Sequence, residues 1–338
     1  MAQIIVKKAG PGVTLQDEGR AGYLAQGLSR GGAVDRLALC EGAVLLGQST
    51  DMAAIEIAAS FLTIEITAAV RIALTGVPMR ARCNGDALVW QASHALPAGS
   101  TLELSASAGG YSYLHLGGGV AADDVLGAKS AHLAAGIGQM IAAGDRLAIS
   151  DHDAGRAGLA LAAEPSTKGA IRLVATPQTP LFADAELARF TATTFRKDSR
   201  GNRMGQRLVL DGGGFGAKAG LAILSETVVP GDIQITGDGA PFVLLCECQT
   251  TGGYPRIGTI LPCDLPRFLR TPANEAITFA FVSLEEGVKL ELAELVRRDG
   301  LRGHLRPLIR DPHTIPDLLA YQLISGVTRG DDLDGDPS

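Results

Sequence analysis

The sequence has no surplus of basic residues: 30 Lys and Arg stand against 36 Asp and Glu, a formal charge of −6 over 338 residues. Without a cationic excess there is little to draw the chain to a phosphate backbone or an anionic bilayer, so neither nucleic acid nor membrane is an expected partner. No secretory leader is expected, since Met1-Ala2-Gln3-Ile4-Ile5-Val6-Lys7-Lys8 does not run from basic to apolar to small residues. No apolar run suits a bilayer span, because the most apolar stretch, residues 53–76, is interrupted by Glu56, Glu65 and Arg71. Cysteine is sparse. Five residues, Cys40, Cys83, Cys246, Cys248 and Cys263, do not make a disulfide framework in a chain this long, and their odd number points to reduced thiols in a cytoplasmic protein.

Several motifs of fixed spacing are absent too. A phosphate-binding loop needs glycine directly before lysine, and the nearest candidate, Gly127-Ala128-Lys129-Ser130, has a residue between them. There is no HExxH helix, Cys246-Glu247-Cys248 sets two thiols on one face of an expected strand without paired ligands elsewhere, and six scattered histidines give no base by spacing; no metal site is expected. Gly27-Leu28-Ser29-Arg30-Gly31 matches the spacing of a nucleophile elbow, but residues 22–26 make a poor preceding strand, so Ser29 reads as a loop residue ahead of a helix. The two halves show no mutual repeat.

What the chain does have is glycine, 43 residues, nearly twice the usual share of about 7%. Between glycine and proline punctuation run short stretches of Val, Ile and Leu at 4–6, 54–57, 62–66, 70–75, 88–91, 101–104 and 111–116, and again at 171–175, 207–210, 233–236, 242–246, 257–261 and 277–282. This spacing predicts a mainly β protein of barrels or sandwiches with a few helices. One helix should start at Asp35 as N-cap, present Leu37, Cys40, Val44 and Leu45, and stop at Gly47; a second should cover 183–190. Ser283-Leu284-Glu285-Glu286 has capping-box form ahead of a helix to about Arg298, and Pro316 fits the first turn of a last helix to about Ile324. The length favours two domains, and the Ala-, Gly- and Ser-rich stretch 151–168 places the boundary: residues 1–165, residues 166–328, and an acidic tail at 329–338.

Three clusters hold more special residues than turns require. The first runs from Thr14 to Asp35 and gathers Asp17, Arg20 and Tyr23 in a mobile-backbone loop. The second, Gln249-Thr250-Thr251-Gly252-Gly253-Tyr254-Pro255-Arg256, lies between two apolar strands; adjacent glycines let backbone approach a ligand, while Gln, Thr, Tyr and Arg offer hydrogen bonds to an amide or carboxylate. The third, residues 199–207, holds Arg200, Asn202, Arg203 and Arg207, an arrangement able to clamp an anion. Chemistry alone assigns Arg203 and Arg256 to anion binding, Gln249, Thr250 and Thr251 to amide or carboxylate hydrogen bonds, Tyr254 to a pocket wall, and Asp17 to proton transfer or to orienting Arg20.

Together and in this order, the clusters resemble the biotin-dependent carboxyltransferase-like family called allophanate hydrolase subunit 2, and within it the type found as the C component of 5-oxoprolinase. The resemblance covers nearly the whole chain and rests on 14–23 with Gly32-Ala33-Val34-Asp35, Gly117-Gly118-Gly119, Leu126-Gly127, Asn202-Arg203-Met204-Gly205, Leu224-Ser225-Glu226 and the Gln249 to Pro255 motif. Glu247-Cys248 departs from the Asp-Arg pair of many relatives, and Gly31 stands where relatives often carry serine. The resemblance implies two cyclophilin-like β-barrel domains. It further implies one part of a multi-chain enzyme, acting with a B component that resembles allophanate hydrolase subunit 1 and with a separate A component. Together these open the 5-oxoproline lactam to glutamate, with ATP used at the level of the complex. Two alternatives accompany it: carboxyl transfer to a urea-like or amide substrate from biotin carried on another chain, and regulation of a sensor kinase.

Overall fold

A computed structural model describes residues 2–106, 109–150, 156–162, 169–218 and 220–309. The mainly β expectation holds: among the described residues three large sheets are joined by four α-helices, α1 (Arg36–Leu46), α2 (Asp184–Ala192), α3 (Leu265–Arg270) and α4 (Leu284–Asp299). A six-stranded sheet runs in the order 146–148, 3–9, 61–66, 101–106, 79–83, 86–87, and a seven-stranded sheet in the order 13–16, 54–58, 111–116, 70–76, 92–96, 159–161, 305–307. Their facing sides share one aliphatic core that includes Ile4, Val6, Ile55, Ile57, Leu62, Ile64, Ile72 and Leu114. Phe61–Ile66 alternates in burial as a one-sided strand should. Val70–Gly76 is buried nearly throughout because α1 packs on its other face.

The third sheet orders 195–197, 205–210, 241–244, 232–235, 256–260, 171–174, 279–281. Its core is aromatic. Phe190 lies 5.1, 5.3 and 5.3 Å from the ring centres of Phe195, Phe215 and Phe279, and the Arg189 guanidinium covers Phe215 at 3.9 Å. After α4 the chain returns to the second sheet, where Leu305–Pro307 pairs antiparallel with Leu159–Leu161.

The expected caps are in place. Asp35 accepts the Ala38 amide at 3.0 Å, Gly47 turns left-handed at φ +66, and Ser283 accepts the Glu286 amide at 3.1 Å. Three expectations need correction. The face of α1 is broader than read, with Leu39, Ala43 and Leu46 buried and Cys40 and Val44 only partly so, because the helix is wedged between the second sheet and α3. Residues 88–91 form a link rather than a strand: Gln91 is left-handed at φ +58, and the Trp90 indole turns aside to donate to the Gly76 carbonyl at 3.1 Å. The short α3, opened by Pro266, was not expected. The helix read at 316–324 and the tail at 329–338 lie outside the described residues.

Candidate functional site

Arg203 sits on the turn before the Gly205–Leu210 strand, and Asn202 shapes that turn by accepting the Met204 amide at 2.8 Å and the Gly205 amide at 3.3 Å. The Arg203 side chain points inward. Its guanidinium donates to Glu247 at 2.7 Å, to the Gly32 carbonyl at 2.7 Å, and to Glu56. Burial opposes its charge, yet the carboxylates of Glu56 and Glu247 hold it protonated well above the ordinary arginine range. Glu56 also accepts the Val34 amide at 2.9 Å and the Tyr113 hydroxyl at 2.6 Å. Tyr113 in turn receives the Asp35 amide at 2.8 Å, and Asp35 pairs with Arg270 at 2.6 Å, which also reaches Glu41 at 2.9 Å. A continuous polar chain therefore links the second sheet and α1 to α3 and to the turn ahead of a strand of the third sheet.

The loop from Asp17 to Tyr23 is built by the same means. Asp17 accepts the Gly19 amide at 2.9 Å and the Lys129 amide at 2.6 Å. Arg20, 1% exposed, donates to the carbonyls of Val125, Ala128 and Ser130 and to the Ser130 hydroxyl. Burial lowers its pKa and nearby Asp17 opposes the shift, but no hydrogen bond joins the two among the described residues. Asp17 and Arg20 thus clamp the loop to residues 125–130. Tyr23 is half-buried and opens the 3-10 turn Leu24–Gln26, which leads to Ser29. Ser29 is a loop residue, and the fold sets it 2.9 Å from His132 Nε2, a contact across 103 residues. Burial lowers the His132 pKa, and its Nδ1 has no hydrogen-bond partner among the described residues. Gly31, left-handed at φ +62, sits so close that a Cβ there would lie 3.0 Å from the His132 ring.

The Gln249 to Arg256 segment leaves the third sheet, pairs Thr251–Gly252 with Glu226–Thr227, and returns as a strand. Gln249, Thr251 and Tyr254 are exposed, Thr250 and Gly253 half-buried, Gly252 and Arg256 buried. Arg256 is held on every side: by Asp232 at 3.1 Å, Glu226 at 3.0 Å, the Thr227 carbonyl at 2.9 Å and Gln178 at 3.1 Å. Gln178 closes the ring by donating to Glu226 at 2.6 Å.

The structure brings two of the three clusters into direct contact. Arg203 touches the Gly32 carbonyl and the Gly31 amide donates to the Cys246 carbonyl at 3.1 Å, so loop 17–35, turn 202–204 and the segment ahead of Gln249 meet. Among the described residues no hydrogen bond joins the Gln249 to Arg256 turn to Asp17, Arg20 or Tyr23. The other arginines of the third cluster do not converge: Arg200 pairs with Asp198 and Arg207 with Asp238, both near the surface. The reading of Cys246 and Cys248 as alternating strand residues is also corrected, since the strand ends at Leu244 and the two lie in the turn beyond. Burial pushes both thiols up to about 12, leaving them protonated and inert at neutral pH. Sequence reading missed Glu56, Gln178 and Asp232, which face these arginines from 147, 78 and 24 residues away.

A groove of about 750 Å³ lies elsewhere, between α1, α3 and α4, with Trp90, Arg172 and Arg270 in its wall. Its arginines are committed to carboxylates, Arg172 to Asp264 and Arg270 to Asp35 and Glu41.

The family described as carboxyltransferase domain, subdomain A and B, matches residues 26–281. The C component of 5-oxoprolinase from Escherichia coli (strain K12) is 33% identical over 288 residues, covering 83% of this chain and 92% of that protein. Among solved structures, TTHA0988 superposes with a TM-score of 0.75 at 26% identity over 83% of this chain; this chain spans 56% of that one. The K. lactis urea amidolyase superposes with a TM-score of 0.77 at 20% identity over 92% of this chain and 21% of its own, a likeness of fold.

Proposed function

This chain belongs to the carboxyltransferase domain, subdomain A and B, family, and from that membership we propose that it serves as the C component of a multi-subunit, ATP-dependent 5-oxoprolinase that opens the 5-oxoproline lactam to L-glutamate. The observation that carries the reading is the 33% identity to a 5-oxoprolinase component of the same type across 92% of that protein's length. The site supports it through its chemistry. Gln249 and Thr251 reach solvent and offer hydrogen bonds suited to a planar N–C=O group, with Tyr254, also exposed, as a wall. Arg203 and Arg256 act as positioning residues: each is neutralised by two carboxylates and braces the backbone on which the exposed donors sit. Asp17 and Arg20 brace the neighbouring loop.

ATP finds no cradle in the loop nearest to phosphate-binding form, because the Gly127 and Lys129 amides there are taken by Asp124 at 2.7 Å and Asp17 at 2.6 Å. Those residues do not fit a phosphate, and no step of ATP use is assigned to this chain. In this reading the B and A components complete the enzyme. The test is to co-express the chain with both, follow ATP-dependent glutamate formation from 5-oxoproline, and omit each chain in turn. Glutamate formed equally well without this chain, or none from an assembled complex, overturns the proposal; activity on an amide that avidin abolishes would move it to carboxyl transfer.

A further inference from the structure

The helix α4 meets the rest of the molecule along a narrow strip. Gly287 is its one buried residue, and a Cβ there would lie 3.1 Å from both Leu261 and Val174, so the missing side chain lets the helix lie close against the ends of two strands of the third sheet. Away from Gly287 the helix is apolar again. Leu284, Val288, Leu292, Leu295 and Val296 are each 50–73% exposed. With 3.6 residues to a turn these five share a sector of about 120°, the width of a stripe that normally faces a core. A helix apolar on two sides is a buried helix, and a contiguous stripe of this kind left in water marks a docking surface. The order of its residues says what fits. Leu284, Val288, Leu292 and Val296 recur at every fourth position, the row along which helices of the commonest crossing class interlock. The row also reads the same about position 290 when turned end for end, setting Leu against Val in every layer: Leu284 with Val296, and Val288 with Leu292. A patch that complements itself under half a turn is what a two-fold interface between identical chains requires. The charges agree with that orientation. Glu285 and Glu286 stand in the first turn and Arg297 and Arg298 in the last, so an antiparallel crossing lays the acidic end of each helix beside the basic end of the other, whereas a parallel one would set like on like.

We propose that α4 is a self-association surface, and that two copies of this chain pair antiparallel through it about a two-fold axis passing between Val288 and Leu292. Val288 then packs on the partner's Leu292, and Leu284 on the partner's Val296. One helix face per chain is less than the roughly 800 Å² that each partner gives to a standard interface, so the dimer is weak and concentration-dependent. Any larger assembly built on this chain would hold it in pairs.

The test is analytical ultracentrifugation of the full chain over a concentration series from micromolar to several hundred micromolar. The average mass should climb from that of one chain towards that of two. Val288→Glu and Leu292→Lys each place an unpaired charge in an apolar layer and should each weaken the dimer at least about tenfold, while Tm at the lowest concentration stays at the wild-type value, because both positions face water in the single chain. Mixed in equal amounts, the two variants should regain the dimer: the antiparallel order sets the introduced carboxylate of one chain against the introduced ammonium of the other and leaves the second layer as Val on Leu. A single chain at every concentration overturns the proposal, and so does a dimer indifferent to both substitutions or a mixture that behaves as the sum of two monomers. A lowered Tm in the dilute variants would mean that the chain itself covers the stripe, and overturns it as well. The readout needs neither substrate nor B component, so its failure and the failure of lactam opening are separate results.

Discussion

Replacing Arg203 by methionine should unfold the protein more readily rather than simply silence it. The substitution keeps much of the side-chain volume but leaves Glu56 and Glu247, 0% and 4% exposed, without the cation between them. Removing one partner from a buried ion pair costs about 3–5 kcal/mol, because the charges left behind stay desolvated. At about 2–4 °C per kcal/mol for a protein of this size class, Tm should drop by roughly 6–20 °C. Arg203→Lys keeps the charge but loses the fork that reaches Glu56, Glu247 and the Gly32 carbonyl together, and should fall between the two. Calorimetric melts at pH 8 check this. A variant within 2 °C of the wild type would refute the reasoning.

Gln249→Ala removes an exposed donor, so KM for 5-oxoproline in the assembled enzyme should rise about 2- to 12-fold with Tm unchanged; equal KM values would remove Gln249 from the site. His115 is wholly buried, 2.8 Å from the Thr75 hydroxyl, and burial pushes its pKa down to about 3. Because the folded value is depressed from about 6.5, the stabilisation is complete above pH 6.5 and is lost as the pH falls towards 3, about 2 kcal/mol of it by pH 5. Urea unfolding at pH 7 and 5 should therefore show a flatter dependence in His115→Gln, and an unaltered slope would exclude the residue as the cause. Ser283→Ala deletes the cap of α4 and should cost about 1 kcal/mol by urea unfolding, with no effect on turnover.

The parts legible in the sequence are those whose cause is local. Asp35 and Ser283 announce α1 and α4 because a cap needs only the next three residues, and most strands follow from short apolar runs between glycines. The three polar clusters were legible as composition. Their partners were not, because nothing near Arg203 in the chain signals Glu56, and an arginine triplet reads the same whether it awaits an anion or is already matched to carboxylates. The Ser29 and His132 contact is hidden for the same reason, the pair being 103 residues apart. Leu305-Arg306-Pro307 carries no strand signal of its own. It is drawn into the second sheet as an edge partner of Leu159–Leu161, where proline is tolerated.

That late pairing sets an order in time. The strand Leu159–Leu161 leaves the ribosome about 146 residues before the segment that covers it, a wait of roughly 7–29 s at about 5–20 residues per second. During synthesis the second sheet stands with an open border, and an open border recruits whatever extended chain is nearby. Only when α4 has formed and the chain has doubled back does the first-made sheet receive its last strand, so the oldest part of the molecule to be synthesised is among the last to be finished.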